Sequence, residues 1–186
     1  FANGFNCVIP AVLLVLFLGG HISWVFCIGI NLLARLIFAP VDAYTRGEYA
    51  FGKLETYPLN IFEKLYVRLF AKVIQISEWA FAAAVAYVYC TVFSGVEAVV
   101  LTLVTLLAME ISEEVVFYLV YLVKNQKKWV GIFLAVCVAL GVLLVLWKNV
   151  AVVSAGWAIG FFGTVLALSL AVVLVLHLNR WKIHVL

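Results

Sequence analysis

Charged side chains are scarce in this 186-residue chain: they make up 11% of it, while 68% of the residues are hydrophobic. A soluble domain carries about 25% charged and about 45–50% apolar residues, so a water-soluble fold could not cover this much apolar surface. The mean hydropathy of +1.22 agrees with that comparison. The composition therefore excludes soluble enzymes, disordered proteins and nucleic-acid-binding proteins, and it predicts an integral membrane protein.

Patterns that indicate an enzyme or a bound cofactor are also missing. The chain contains no Ser/His/Asp, Cys/His or phosphate-binding arrangement, and its four cysteines show neither a CxxC pair nor metal-ligand spacing. His21 and His177 fall at different depths of their predicted spans, so they do not form the imidazole pair of a haem site. We predict no enzymatic activity and no cofactor, and a disulfide between Cys7 and Cys90 stays open.

Long apolar runs are what the sequence has instead. A helix needs about 20 mainly apolar residues to cross a bilayer, and a barrel strand would alternate in pieces of about 10, so we predict an all-α polytopic helix bundle. The predicted transmembrane helices are 8–38, 69–93, 96–123, 129–147 and 151–178. Residues 41–68 form an inner-face loop and amphipathic helix, and 1–186 is one membrane domain. An alternative breaks the first run into a hairpin at Gly19 and Gly20, with arms short for a crossing.

The positions of lysine and arginine set the predicted orientation of these five spans. Alternating crossings place every lysine and arginine except Lys148 on one face of the membrane. Inner loops carry an excess of positive charge, so that face is the cytoplasm or an organelle matrix. We therefore expect the N-terminus outside and the C-terminus inside, in a plasma membrane or an organelle inner membrane.

The most informative residues are acidic side chains inside a predicted span. Glu110, Glu113 and Glu114 are spaced i, i+3 and i+4, so they share one face of the third span. An ionised carboxylate at the bilayer centre costs at least about 2.5 kcal/mol by insertion scales, and like charges also repel one another. We expect these side chains to point into the protein and to be partly protonated or paired with cations.

Depth along the predicted helices supplies candidate partners for these carboxylates. Spans two and three form a tight hairpin, in which Glu78 and Glu110 lie about 22 Å and about 21 Å from the turn. His21 falls at a similar depth in the first span, and Lys72 lies closer to the inner face. Lys72 and Arg68 are the predicted counter-charges.

A short segment around Arg68 is similar to part of a known family. Residues 67–71, Val-Arg-Leu-Phe-Ala, resemble the arginine-bearing segment in the proton-channel subunit of rotary ATP synthases. The resemblance covers only spans two and three, and it implies a proton path that includes Arg68 and Glu110. The chain departs from the family's pattern in its two further spans and in Lys72, where a small or amide side chain is usual, so no family is assigned.

Three functions stay open for this buried polar layer. In the first, its acidic residues and a histidine bind and release protons or cations, since closely spaced carboxyls titrate as coupled groups. The residues of that site are Glu110, Glu113, Glu114, Glu78 and His21. In the second, Arg68 and Lys72 pair with the glutamates and fix helix register in a non-catalytic structural subunit of a larger membrane complex. In the third, the carboxylates and His21 ligate a metal pair, although the Glu-x-x-His pairs of di-iron bundles are absent.

The first of these functions is our prediction: a membrane-embedded component of proton or cation translocation, either a transporter or a subunit of an energy-transducing complex. Small residues that recur at helical spacing, such as Gly156 and Gly160, favour close contact with other helices. The predicted partners are therefore the lipid bilayer and other membrane subunits or further copies of the chain, with no nucleic acid.

Overall fold

The computed structural model describes residues 2–38, 62–63, 66–67, 70, 76–121, 126–146 and 153–178. Within those residues the fold is all-helical and contains no strand, as predicted. The six long helices are α1 Ala2–Leu18, α2 Trp24–Phe38, α3 Ile76–Val92, α4 Gly95–Tyr121, α5 Gln126–Leu146 and α6 Ala155–Leu178. The four cysteines are free thiols, so Cys7 and Cys90 do not form the disulfide that the sequence left open.

The first predicted span differs from the structure, because the chain turns at residues 19–23 between α1 and α2. The thiol sulfur of Cys27 lies 3.6 Å from the carbonyl oxygen of Leu13. In one continuous helix the 14 residues between them would span about 21 Å. The predicted single helix over 8–38 is therefore wrong, and α1 and α2 form the helical hairpin that was the alternative.

Local capping explains why α1 ends where it does. The His21 amide donates a hydrogen bond to the Leu16 carbonyl and the Gly20 amide donates one to the Phe17 carbonyl, each at 3.0 Å. These are the two bonds of a Schellman cap, which needs a left-handed residue at the position of Gly20. Gly20 has a φ of 71°, which glycine adopts without steric conflict. The Ser23 hydroxyl then accepts a bond from the amide three residues later, at 3.3 Å, and caps the start of α2.

Helix α4 packs against three other helices, α3, α5 and α6. Helix α1 packs against α3. Near the α1–α2 turn, the ring of Trp24 makes edge-on contacts with Tyr89 and Phe93, at centroid distances of 6.0 Å and 5.2 Å. The hydroxyls of Ser112 and Ser169 lie 3.0 Å apart and join α4 to α6. The ring contacts therefore join α2 to α3, and the hydroxyl contact joins α4 to α6.

Among the residues that the structure describes, two helices are long and apolar enough to cross a membrane, judged by length and composition: Gly95–Val116 within α4 and Ala155–Val175 within α6. The other apolar helical stretches have 10–17 residues; they are Cys7–Leu18, Trp24–Phe38, Glu78–Val92 and Gly131–Leu143. Large hydrophobic side chains stay exposed along α6, including Trp157 at 68% and Leu168 at 62%. Contiguous exposed apolar surface of this kind is typical of protein that faces lipid or another protein.

Replacing Gly20 by alanine is expected to destabilise the fold, because a side chain in the left-handed region costs about 1–2 kcal/mol. The measurement is denaturation of the purified protein in detergent micelles, followed by tryptophan fluorescence. The control is Gly131→Ala within α5, where an added Cβ meets nothing within 4 Å. It should be neutral or stabilise by up to about 1 kcal/mol. Equal free-energy changes in both variants would contradict the capped turn.

Candidate functional site

One guanidinium lies where α2, α3 and α4 meet. Arg35 Nη1 is 2.6 Å from Glu78 Oε2, and Arg35 Nε donates to Glu113 Oε1 at 2.8 Å. Arg35 Nη2 lies 3.6 Å from Glu110 Oε1. Arg35 is 8% exposed and Glu113 is 7% exposed, so these contacts form away from bulk solvent. We refer to Arg35, Glu78, Glu110 and Glu113 as the Arg35 cluster.

An aromatic ring supports the guanidinium from one side. The Arg35 Cζ atom lies 4.4 Å from the centroid of Phe81, within the range of a cation–π contact. Phe81 is itself buried on α3, one turn beyond Glu78. The planar head of Arg35 is therefore held by a ring face in addition to its three carboxylate contacts, which leaves it little freedom to reorient.

The tight turn between α3 and α4 explains why Glu78 and Glu110 meet. The α3 helix ends at Val92 and α4 begins at Gly95, whose φ of 54° permits the reversal. Residues at equal distances from this turn then lie level with each other, as the sequence arithmetic predicted. The structure brings both carboxylates to the same guanidinium.

Glu110, Glu113 and Glu114 on α4 all point into the protein to some degree. Glu113 and Glu114 are buried, at 7% and 2% exposure, and the Glu110 side chain is 16% exposed. Glu114 follows Glu113 directly in the chain and lies one turn beyond Glu110 on α4. The expectation that these carboxyls avoid the outer surface of the bundle agrees with the structure.

His21 is not part of this site. It lies exposed in the turn between α1 and α2, and Arg35 follows 14 positions later, which is about 21 Å along a helix. The depth predicted for His21 assumed one continuous first span, so the capped turn removes the basis of that prediction. The two predicted counter-charges, Arg68 and Lys72, lie outside the described residues.

Arg35 is the functional residue that sequence reasoning missed. It was counted with the inner-face charges at the end of the first span. A signal was present, since Cys27, Asn31 and Arg35 recur at i, i+4 and i+8 and so share one face of α2. That spacing becomes informative only when Ser23 is recognised as the start of a new helix.

The arrangement of these carboxylates does not favour a bound metal ion. Among the residues that the structure describes, no group of three or more His, Cys, Asp or Glu is placed to hold a metal ion. In the Arg35 cluster, the guanidinium occupies the position among the carboxylates where a bound cation would lie. The metal-pair hypothesis therefore gains no support from the site.

The cluster has a definite chemical capacity. An arginine side chain stays protonated in proteins, whereas carboxylates accept and release protons. Proton exchange at this site is therefore confined to the glutamates, beside a fixed positive charge. No protein family, curated protein or solved structure matches the chain. The function consequently has to be argued from the side chains themselves.

Removal of the guanidinium is expected to destabilise the protein strongly. Arg35→Gln leaves buried carboxylates without that partner, and breaking a buried pair in this way costs about 3–5 kcal/mol. Arg35→Lys keeps the charge but not the three-way geometry, so it should cost less. The double variant Arg35→Gln, Glu113→Gln should recover part of the loss, with a coupling energy of about 0.5–3 kcal/mol from denaturation in detergent. Strict additivity of the two single effects would contradict the ion pair.

Proposed function

We propose that the chain is an integral membrane protein and a membrane-embedded component of proton or cation translocation. The observation that carries this proposal is the Arg35 cluster: three carboxylates from two helices surround one buried guanidinium from a third helix. Ionisable groups inside an apolar bundle are expensive and typically mark ion or proton pathways. Glu114, buried beside the cluster, belongs to the same proposed site.

The proposed mechanism uses the contrast between the fixed charge and the titratable groups. Carboxyls this close to one another release protons as a coupled set, so that a proton bound at one of them alters the others. When Glu113 is protonated, its attraction for the guanidinium weakens and the contacts of Arg35 with Glu78 and Glu110 strengthen. A proton can then enter and leave the cluster while the guanidinium keeps an anionic partner throughout.

The proposed topology follows from the hairpin and from the basic residues. The helices α2 to α6 cross in alternation, with the basic loops on the cytoplasmic or matrix face and the C-terminus inside. Because α1 folds back beside α3, its N-terminal end lies on the same face as Arg35. The proposed topology therefore has the N-terminus inside, in place of the outside location predicted from five alternating spans. This makes α1 an additional membrane helix before the five that alternate. The membrane is a plasma membrane or an organelle inner membrane.

The second candidate is a non-catalytic structural subunit of a larger membrane complex. In this function the Arg35 cluster only fixes the relative depth of α2, α3 and α4. The specific observation in its favour is on α6, where a Cβ added at Gly156, Gly160 or Gly163 would meet nothing within 4 Å. Open glycine faces let another helix approach closely, from another subunit or a second copy of the chain. Neither candidate involves enzymatic activity or nucleic acid.

Reconstitution into vesicles tests the proposed function. The protein is placed in vesicles that enclose a pH-sensitive dye, and a potassium gradient with valinomycin drives proton entry. Glu113→Gln and Glu110→Gln should lower the flux at least about tenfold, because an amide cannot carry the proton. Glu97→Gln is the matched control, since Glu97 is exposed in the first turn of α4, and it should leave the flux unchanged.

The same variants separate the two candidates. If the cluster variants conduct as well as the unaltered protein but no longer copurify with its native partners, the structural function replaces the proposed one. Parallel measurements with a sodium-sensitive dye show whether protons or another cation move through the protein. Wild-type vesicles with no flux above that of empty vesicles, for either ion, would also refute translocation by the chain alone.

A further inference from the structure

Three helices each contribute a buried row of side chains to the interior that contains the Arg35 cluster. Each row has the spacing i, i+4 and i+8, so its members share one helix face. The rows are Cys27, Asn31 and Arg35 on α2; Phe81, Val85 and Tyr89 on α3; and Thr105, Met109 and Glu113 on α4. None of these nine residues is more than 8% exposed. The rows together make a closed column through the bundle.

Contacts at both ends fix how the rows align. At one end Arg35 contacts Glu113 and Phe81. At the other end the hydroxyls of Tyr89 and Thr105 lie 3.0 Å apart and form a hydrogen bond. Because two helical turns separate these ends on each helix, the column is about 12 Å long. Its middle layer holds Asn31, with only apolar neighbours from α3 and α4 in the same rows.

The two polar atoms of the Asn31 side-chain amide differ in their hydrogen bonding. Its Nδ2 group donates to the carbonyl oxygen of Cys27 at 3.0 Å, which fixes the side chain against its own helix. Its Oδ1 atom accepts no hydrogen bond from the described part of the chain, although Asn31 is only 2% exposed. Buried polar atoms without a protein partner are typically satisfied by ordered water.

We propose that Asn31 binds a buried water in a chain of hydrogen-bonded groups that links the Arg35 cluster to the hydroxyl pair of Tyr89 and Thr105. The ligand class is therefore water in a proton-conducting chain, and the three residues extend the site away from the carboxylates. This inference rests on the proposed function, because it gives the cluster's protons a route through the other half of the bundle. Asn31 acts as a positioning residue that orients the water and does not itself titrate.

The transfer conserves protons at each group. The protonated carboxyl of Glu113 gives its proton to the oxygen of the bound water, and the water releases one of its own protons toward the hydroxyl pair. The hydroxyl that accepts this proton gives up its original proton on the far side. After reorientation the water and the hydroxyls have the number of protons they began with, and one proton has moved along the column. Glu113 is left ionised until it takes up the next proton from the side of the Arg35 cluster. The hydrogen bond to Asn31 Oδ1 holds the water in line during both steps.

The test replaces Asn31 by leucine, which removes the hydrogen-bond acceptor Oδ1 and keeps a side chain of similar size. In the vesicle assay, Asn31→Leu should lower the proton flux at least about tenfold. Since it also removes a buried acceptor, its thermal unfolding temperature should equal or exceed that of the unaltered protein. Asn31→Ser, which restores a hydroxyl and leaves room for water, should recover part of the flux. The matched control is Leu107→Met, on the exposed side of α4 and outside the three rows, which should conduct normally.

Two further variants keep the proposal falsifiable if Asn31→Leu fails to fold. Tyr89→Phe and Thr105→Val keep nearly the same shape and remove only the hydroxyls, and each should lower the flux. Normal flux in folded Asn31→Leu, or in both hydroxyl variants, overturns the water link. If Glu113→Gln still blocks flux in that case, the proposed function stands without this route. If Glu113→Gln also conducts normally, the proposed function fails as well.

Discussion

The structure depends on one buried arginine, Arg35, whose positive charge must be balanced by carboxylates inside an apolar helix bundle. In the proposed membrane location, lipid tails are as apolar as leucine, so helices would gain little from burying hydrophobic side chains against one another. Arg35 supplies what apolar packing does not, because its contacts with Glu78, Glu110 and Glu113 are possible at only one relative depth of α2, α3 and α4. A shift of any of these helices by one turn would separate a charge from its partner, at a penalty of several kcal/mol.

The capped turn at Gly20 is what makes this arrangement possible. If the chain had continued as one helix from Val8, residues near Leu13 and Cys27 would lie at different depths and α1 could not pack beside α3. The reversal instead starts α2 near Trp24, which packs against Tyr89 and Phe93 at the end of α3. That contact sets the register in which Arg35 reaches the glutamates about three turns farther along.

Much of the architecture could be predicted from the sequence, because hydropathy and helical rise act over whole helices. The positions of α3 to α6 and the meeting of Glu78 with Glu110 follow from run lengths and one short turn. The hairpin was only the alternative to one continuous helix, and Arg35 was not singled out, since hydropathy does not change at Gly19 and Gly20. Helix α1 ends there because of its backbone conformation. A left-handed glycine and a capping serine satisfy the backbone hydrogen bonds at the turn, and a hydropathy profile does not detect either effect. The depth predicted for His21 assumed one continuous first helix, so it changed when that helix proved to be a hairpin.

The number of carboxylates around Arg35 bears on whether the cluster transfers protons or only joins helices. A single carboxylate is enough to balance one guanidinium, and each additional ion in the bundle interior carries its own desolvation penalty. With three partners, Arg35 keeps two other carboxyl contacts when one of them takes up a proton, so the helices stay in register. Joining the three helices requires one carboxylate on α3 and one on α4, whereas a cluster that exchanges protons also uses the third. The excess of carboxylates over what pairing demands is therefore the feature that favours translocation over assembly.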